Sequence, residues 1–165
     1  MAENFSFDIV SDFDRQELVN TLDQAKREIS QRYDLKGTDT TIDLEKENIY
    51  ITTNSELTLN SVVDVLRQKA TKRKLSLKIF DFESLEVISG NKVKQNIKLK
   101  KGLDQEIAKK ISKELRNQIK KINVSIQGDS LRVASKSKND LQLAIGMLEN
   151  FEELYSIPLQ TNNYR

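Results

Sequence analysis

Lys92, Lys94, Lys98 and Lys100 recur every second residue or at multiples of it, so on a strand all four share one face. That face lies opposite Val93, Ile97 and Leu99, which would point into a core. Arg132 alternates with Leu131 and Val133 and should point outward in the same way. Lys101-Gly102 leads into a helix, and Lys136-Ser137-Lys138 repeats that arrangement at the start of the last one. Helix starts carry unpaired N–H groups and the positive end of the dipole, which both favour a phosphate. Lys98, Lys100, Lys101, Gly102, Arg132, Lys136, Ser137 and Lys138 therefore form a candidate phosphate-binding surface. An ordinary solvated charged face is the alternative. Lys109, Lys110, Lys113, Lys120 and Lys121 fall on the polar side of a helix and read as solubilising.

What the chain lacks narrows the chemistry. Its 165 residues include no His and no Cys. That removes Ser-His-Asp and Cys-His nucleophiles, an imidazole proton shuttle and any Cys/His zinc site. No disulfide is possible, which fits a reducing compartment. Gly128-Asp129-Ser130-Leu131 spells the signature letters of a hydrolase family, but that chemistry needs a general-base His, so it reads as a hairpin turn. Neither GxxxxGK[ST] nor GxGxxG occurs. Asp12/Asp14 and Glu45/Glu47 lie near a helix cap and in a turn, where isolated carboxylates are surface charge rather than an acid–base dyad. The expectation is a binding protein, not an enzyme, with no cofactor and no metal.

The elements that must hold these cations alternate between strand and helix periods. Phe5, Phe7 and Ile9 alternate with polar residues as a short strand. Asp14 and Glu17 open a helix whose inward face is Leu18, Leu22, Ala25, Ile29 and Tyr33. Ile42/Leu44 and Ile49/Ile51 give two strands around the turn at residues 45–48. Asn54 or Ser55 caps a second helix, and Leu75, Leu77 and Ile79 predict a third strand. The pattern then recurs: a strand at Val93–Leu99, a helix from about Leu103 to Lys120, and a hairpin around Gly128-Asp129-Ser130. Ser137 and Asp140 open a last helix, and Ile157 and Leu159 close the chain in a strand that Pro158 places at an edge.

Strand, helix, strand, strand, helix, strand thus occurs twice. Two βαββαβ units imply an α+β fold of two tandem ferredoxin-like domains, each an antiparallel sheet with helices on one face. The expected domains are residues 1–90 and 91–165, with Asp81–Lys92 as linker and the possibility that strand 5–10 pairs with the second domain.

A formal net charge of +2 hides an uneven distribution along the chain. Residues 1–90 hold 12 basic against 17 acidic residues, and residues 91–165 hold 15 against 8, so the halves carry −5 and +7. Such asymmetry points to an anionic partner for the second half. Ferredoxin-like sheets that read RNA stack bases on aromatics of their central strands. Residues 123–127 and 130–135 contain no aromatic, so Phe80 and Phe82 are the stacking candidates, with core packing at the domain interface weighed above stacking.

The same residues carry a resemblance. Ser6-Phe7-Asp8-Ile9-Val10-Ser11 resembles the N-terminal signature of the YajQ family of small bacterial proteins. Ile97-Lys98-Leu99-Lys100-Lys101-Gly102-Leu103, Ile126-Gln127-Gly128-Asp129, Leu131-Arg132-Val133 and residues 135–142 resemble its C-terminal half in order and spacing. Between Thr38 and Lys92 the match is mainly one of layout. The resemblance implies two tandem ferredoxin-like domains with an exchanged N-terminal strand. It also implies nucleotide binding, with tRNA or purine nucleotides such as GTP or ATP as ligands and cyclic di-GMP as effector in some members. No catalytic residues transfer from it.

The leading expectation is a non-enzymatic protein that contacts the phosphates of RNA, tRNA or purine nucleotides. The alternative is a cyclic-di-GMP-responsive adaptor that binds a protein partner. No apolar run approaches the ~18 residues that cross a bilayer, and residues 1–7 lack the basic and apolar regions of a signal peptide. No membrane partner is expected, and the expected location is the cytoplasm.

Overall fold

Alternating apolar side chains decide where the strands form, and helical caps decide where the helices start. A computed structural model describes residues 4–165 as a mixed α/β chain with two antiparallel sheets. In chain order the elements are β1 (Phe5–Val10), α1 (Arg15–Gln31), β2 (Thr41–Glu45), β3 (Asn48–Thr53), α2 (Glu56–Lys72), β4 (Phe80–Phe82), β5 (Glu86–Ile88) and β6 (Lys92–Leu99). There follow α3 (Gln105–Gln118), β7 (Asn123–Gln127), β8 (Ser130–Ser135), α4 (Lys138–Gly146), α5 (Leu148–Tyr155) and β9 (Gln160–Asn162). Antiparallel sheets with helices in this order are compatible with two ferredoxin-like domains.

Phe13–Lys100 forms one compact unit. Its sheet runs β2-β3-β6-β4, with β5 also on β6. Ile49 and Ile51 of β3 and Ile97 of β6 bury completely against Leu18, Val62 and Leu66 of the two helices. Asp14 accepts from the N–H groups of Gln16 and Glu17 to cap α1, and Ser55 accepts from Thr58 N–H to cap α2. The Arg73 guanidinium then holds Glu17 through two bonds of 2.8 and 3.2 Å.

The second unit joins Lys101–Arg165 to the N-terminal residues through Asp12. Its sheet runs β7-β8-β1-β9. Phe7 pairs with Val133 and Ile9 with Leu131, and all four side chains bury beneath α3 and α4 in a core with Ile111 and Leu115.

These units run differently from a division into residues 1–90 and 91–165, and two local features explain it. Gly90 and Asn91 both take positive φ, 80° and 56°, so the segment expected as a linker holds the end of β4, the whole of β5 and the turn of a β5–β6 hairpin. That hairpin lays β6 along β3, with Gln95 opposite Ile51. At the other end β1 lies between β8 and β9, so its apolar face serves the core of the Lys101–Arg165 segment.

Smaller differences arise where the chain turns inside an expected strand or helix. Lys74 adopts φ 62° and Leu75 N–H closes α2 on Ala70, so Leu77–Ile79 becomes a short 3₁₀ turn and the strand starts at Phe80. The last helix breaks at Met147 into α4 and α5, and the final strand begins at Gln160, after the buried Ile157 and Leu159.

Gly102 marks the most constrained turn of the second unit. Its φ is +85°, its N–H donates to Ser11 C=O at 2.7 Å, and an added Cβ would lie 2.9 Å from Asp129 Oδ2. Left-handed backbone costs a residue with a Cβ about 1–2 kcal/mol. Gly102→Ala should therefore lower stability by about that amount in urea unfolding, the Asp129 carboxylate swinging aside; an unchanged midpoint would contradict the turn as described.

Candidate functional site

The expected phosphate-binding residues divide between the units: Lys98 and Lys100 fall in Phe13–Lys100, and the other six in the second unit. On β6 the alternation places Lys94, Asn96 and Lys98 on the open face of the sheet, opposite the buried Val93, Gln95, Ile97 and Leu99. That face is not purely cationic. Asp81 stands directly opposite Lys98, and Glu86 opposite Lys94, in positions where charges on adjacent strands attract. Grouped by unit, Phe13–Lys100 carries 16 basic against 14 acidic residues, and the rest of the chain 11 against 11. The −5 and +7 halves disappear because Lys92, Lys94, Lys98 and Lys100 are counted with Phe13–Lys100, and Glu3, Asp8 and Asp12 with the rest of the chain.

Tyr50 is the residue that sequence reasoning passed over. It sits on the open face of β3, with the Lys94 ammonium 4.8 Å from its ring centroid. The signal was present in Ile49-Tyr50-Ile51, whose alternation sends the ring outward. Phe80 and Phe82 follow the core-packing reading weighed above stacking. Phe80 is buried in the core, and Phe82 packs against that core with the Arg67 guanidinium 5.0 Å over its ring.

Arg132 does lie on the open face of β8, where it is committed to Asp8 across the register pair that joins β8 to β1. Arg132 Nε donates to Asp8 Oδ1 at 3.1 Å, and Asn163 Nδ2 donates to Asp8 Oδ2 at 2.8 Å. Asp8 is only 5 % exposed. Burial by itself would raise its pKa, but the bonds from Arg132 and Asn163 and the charges of Arg132 and Arg165 outweigh it, and the pKa falls below the usual 3.8. A carboxylate with a depressed folded pKa contributes stability above its unfolded value, and that contribution is lost as pH falls through the folded one. Asp8→Asn should therefore lower stability at pH 7 and shrink the stability difference between pH 7 and pH 3. An undiminished difference in urea titrations at the two pH values would contradict the assignment.

The two helix starts also differ from one another. Gly102 N–H is spent on Ser11, Asp104 accepts from Glu106 N–H at 2.7 Å, and Glu106 adds a second carboxylate to the first turn of α3. Lys101 Nζ lies 3.8 Å from Asp12 Oδ1. Carboxylates thus already occupy the positive end of α3. At α4, Ser137 Oγ accepts from Asp140 N–H at 3.3 Å, while Ser135 Oγ donates to Asp140 Oδ2 at 3.3 Å and so draws that carboxylate back to the strand. Lys136 and Lys138 are exposed on either side of the cap, with the Lys138 ammonium 4.8 Å above the Phe5 ring centroid. Among the described residues, no group of three or more carboxylates converges to hold a metal ion, and no helix is long and apolar enough to cross a membrane.

Comparison with known proteins covers nearly the whole chain. Residues 5–165 match the profile of the family described as "Nucleotide-binding protein YajQ-like". Among curated relatives, a nucleotide-binding protein of Prochlorococcus marinus subsp. pastoris is 81% identical over all of both chains. A second from strain MIT 9515 is 79% identical, and a third from strain SARG is 61% identical, each again over the full length of both chains.

Proposed function

The chain belongs to the YajQ-like family, and on that premise we propose that it is a non-enzymatic protein that binds RNA or a purine nucleotide through phosphate contacts. Its relatives are named as nucleotide-binding proteins and match it from end to end, which supports the binding class. The fold reading that goes with it is a pair of ferredoxin-like units that trade strands, β1 going to the sheet of β8 and β6 to that of β3.

One observation carries the placement of the phosphate contacts. Lys136 and Lys138 flank the Ser137 cap of α4, exposed, and form no ion pair among the described residues. Lys101, in the same unit, serves as a secondary contact in this reading, while Lys98 and Lys100 belong to the other unit. Arg132 is withdrawn from it by Asp8, and Gly102 serves the turn rather than the ligand.

Counterion release supplies the test, since every phosphate neutralised by a lysine steepens the salt dependence of affinity. The logarithm of affinity for a short single-stranded RNA should fall linearly with the logarithm of salt. Lys136→Gln with Lys138→Gln should reduce that slope by roughly 0.7 per contact removed. A slope that the double variant leaves unchanged would exclude α4 as the phosphate site.

A further inference from the structure

A cleft in the second unit lies between the start of β1, the inner side of α4 and the last residues of the chain. It encloses about 340 Å³ and is walled by Phe5, Leu141, Ile145 and Tyr164, with Lys138 and Arg165 at its rim. That volume falls in the ~300–1,000 Å³ range of small-molecule sites. No acidic side chain lines it. Asp8, whose carboxyl feels the Arg165 charge, is buried and already bonded to Arg132 and Asn163, while Asp140 is held by Ser135.

The backbone goes out of its way to put Tyr164 and Arg165 there. Asp8 pairs with Asn162, yet Ser6 exchanges both backbone bonds with Arg165, at 3.2 and 2.9 Å, so the C-terminal strand carries one extra residue over that stretch. Asn163 absorbs it as a bulge with φ 55°, a conformation uncommon for a residue with a side chain. Bulges of this kind re-aim the side chains beside them. The buried Asp8 holds the bulge through Asn163 Nδ2. Tyr164 then lies over Phe7 with ring centroids 5.9 Å apart, its hydroxyl bonded to Thr161 Oγ1, and remains 61% exposed. One face of a fixed aromatic ring is thereby left to the cleft, with the Lys138 ammonium at its rim.

We propose that this cleft holds one nucleobase together with its phosphate, the base against Tyr164 and the phosphate on Lys138. The assignment rests on the nucleotide-binding function proposed above and narrows it to a single nucleotide unit, supplied free or as the end of an RNA strand. Rings of either base class stack on a tyrosine face, and a lysine ammonium with no acidic side chain in the lining suits a phosphate.

Calorimetry with GMP, AMP and a short oligoribonucleotide tests it on wild type and variants. Tyr164→Ala should weaken GMP and AMP binding about tenfold, whereas Tyr164→Phe, which keeps the ring, should bind as wild type does. Lys138→Gln should weaken the same ligands and flatten their salt dependence, and Lys109→Gln on the outer side of α3 should change neither. If the oligoribonucleotide alone shows these effects, the unit bound is the end of a strand; if the mononucleotides show them, it is a free nucleotide. Wild-type binding that survives Tyr164→Ala and Lys138→Gln would overturn the cleft and leave the nucleotide-binding function standing. No saturable binding of any of the three ligands to wild type would overturn both.

Discussion

Phe7→Ala should destabilise the second unit by about 3–5 kcal/mol, the usual cost of removing a fully buried phenyl ring. Phe7 is 0 % exposed, pairs with Val133 and shares a core with Leu131, Ile111 and Leu115. Although it lies near the N-terminus, its contacts are made with residues more than a hundred positions away. Native-state hydrogen exchange reads the consequence by location. Amides of β7 and β8 should lose most of their protection, and those of β2, β3 and β6 should keep theirs. Loss concentrated in β2 and β3 would place β1 in the other sheet and contradict the pairing.

Arg132→Ala should cost about 1–3 kcal/mol, because it removes a donor from a buried carboxylate rather than trimming a free surface cation. With Asn163 still donating, Asp8 keeps one of its two side-chain partners, so the loss should be partial. Stability of the variant should recover as pH falls and Asp8 takes a proton, so that wild type and variant converge at low pH. The same substitution should leave the salt dependence of RNA binding unchanged, since this guanidinium is spent inside the protein. A variant as stable as wild type at pH 7 but with a shallower salt slope would return Arg132 to the ligand surface.

These two residues also mark what could be read from the sequence. Alternation at Phe5-Ser6-Phe7-Asp8-Ile9 located β1 and its inward side chains, and the caps at Asp14, Ser55 and Ser137 located the helices, because those signals are local. Which sheet a strand joins is not a local property. Nothing in Lys92–Leu99 distinguishes β3 from β8 as a neighbour; the hairpin through Gly90 and Asn91 decides it, and once β6 moves, the charge difference between the halves moves with it. The open face of a strand is likewise not always an open surface. Asp8 and Arg132 both alternate outward, yet Asn163 arrives from the far end of the chain and seals the pair. The cleft beside Tyr164 was hidden for the same reason, since it joins β1 near the start of the chain to α4 and the C-terminal residues near its end. The place of Lys136 and Lys138 beside the α4 cap was legible because a capped helix start is written in consecutive residues.

The central claim is that the chain holds a nucleotide by its phosphates. Its most direct test is one calorimetric titration series with tRNA, GTP, ATP and cyclic di-GMP, each at 50 and 200 mM salt. The expected result is saturable binding of at least one of them whose affinity falls steeply at the higher salt, with the fall reduced by Lys136→Gln and Lys138→Gln. Affinity equal at the two salt concentrations, or no binding of any of the four, would contradict it.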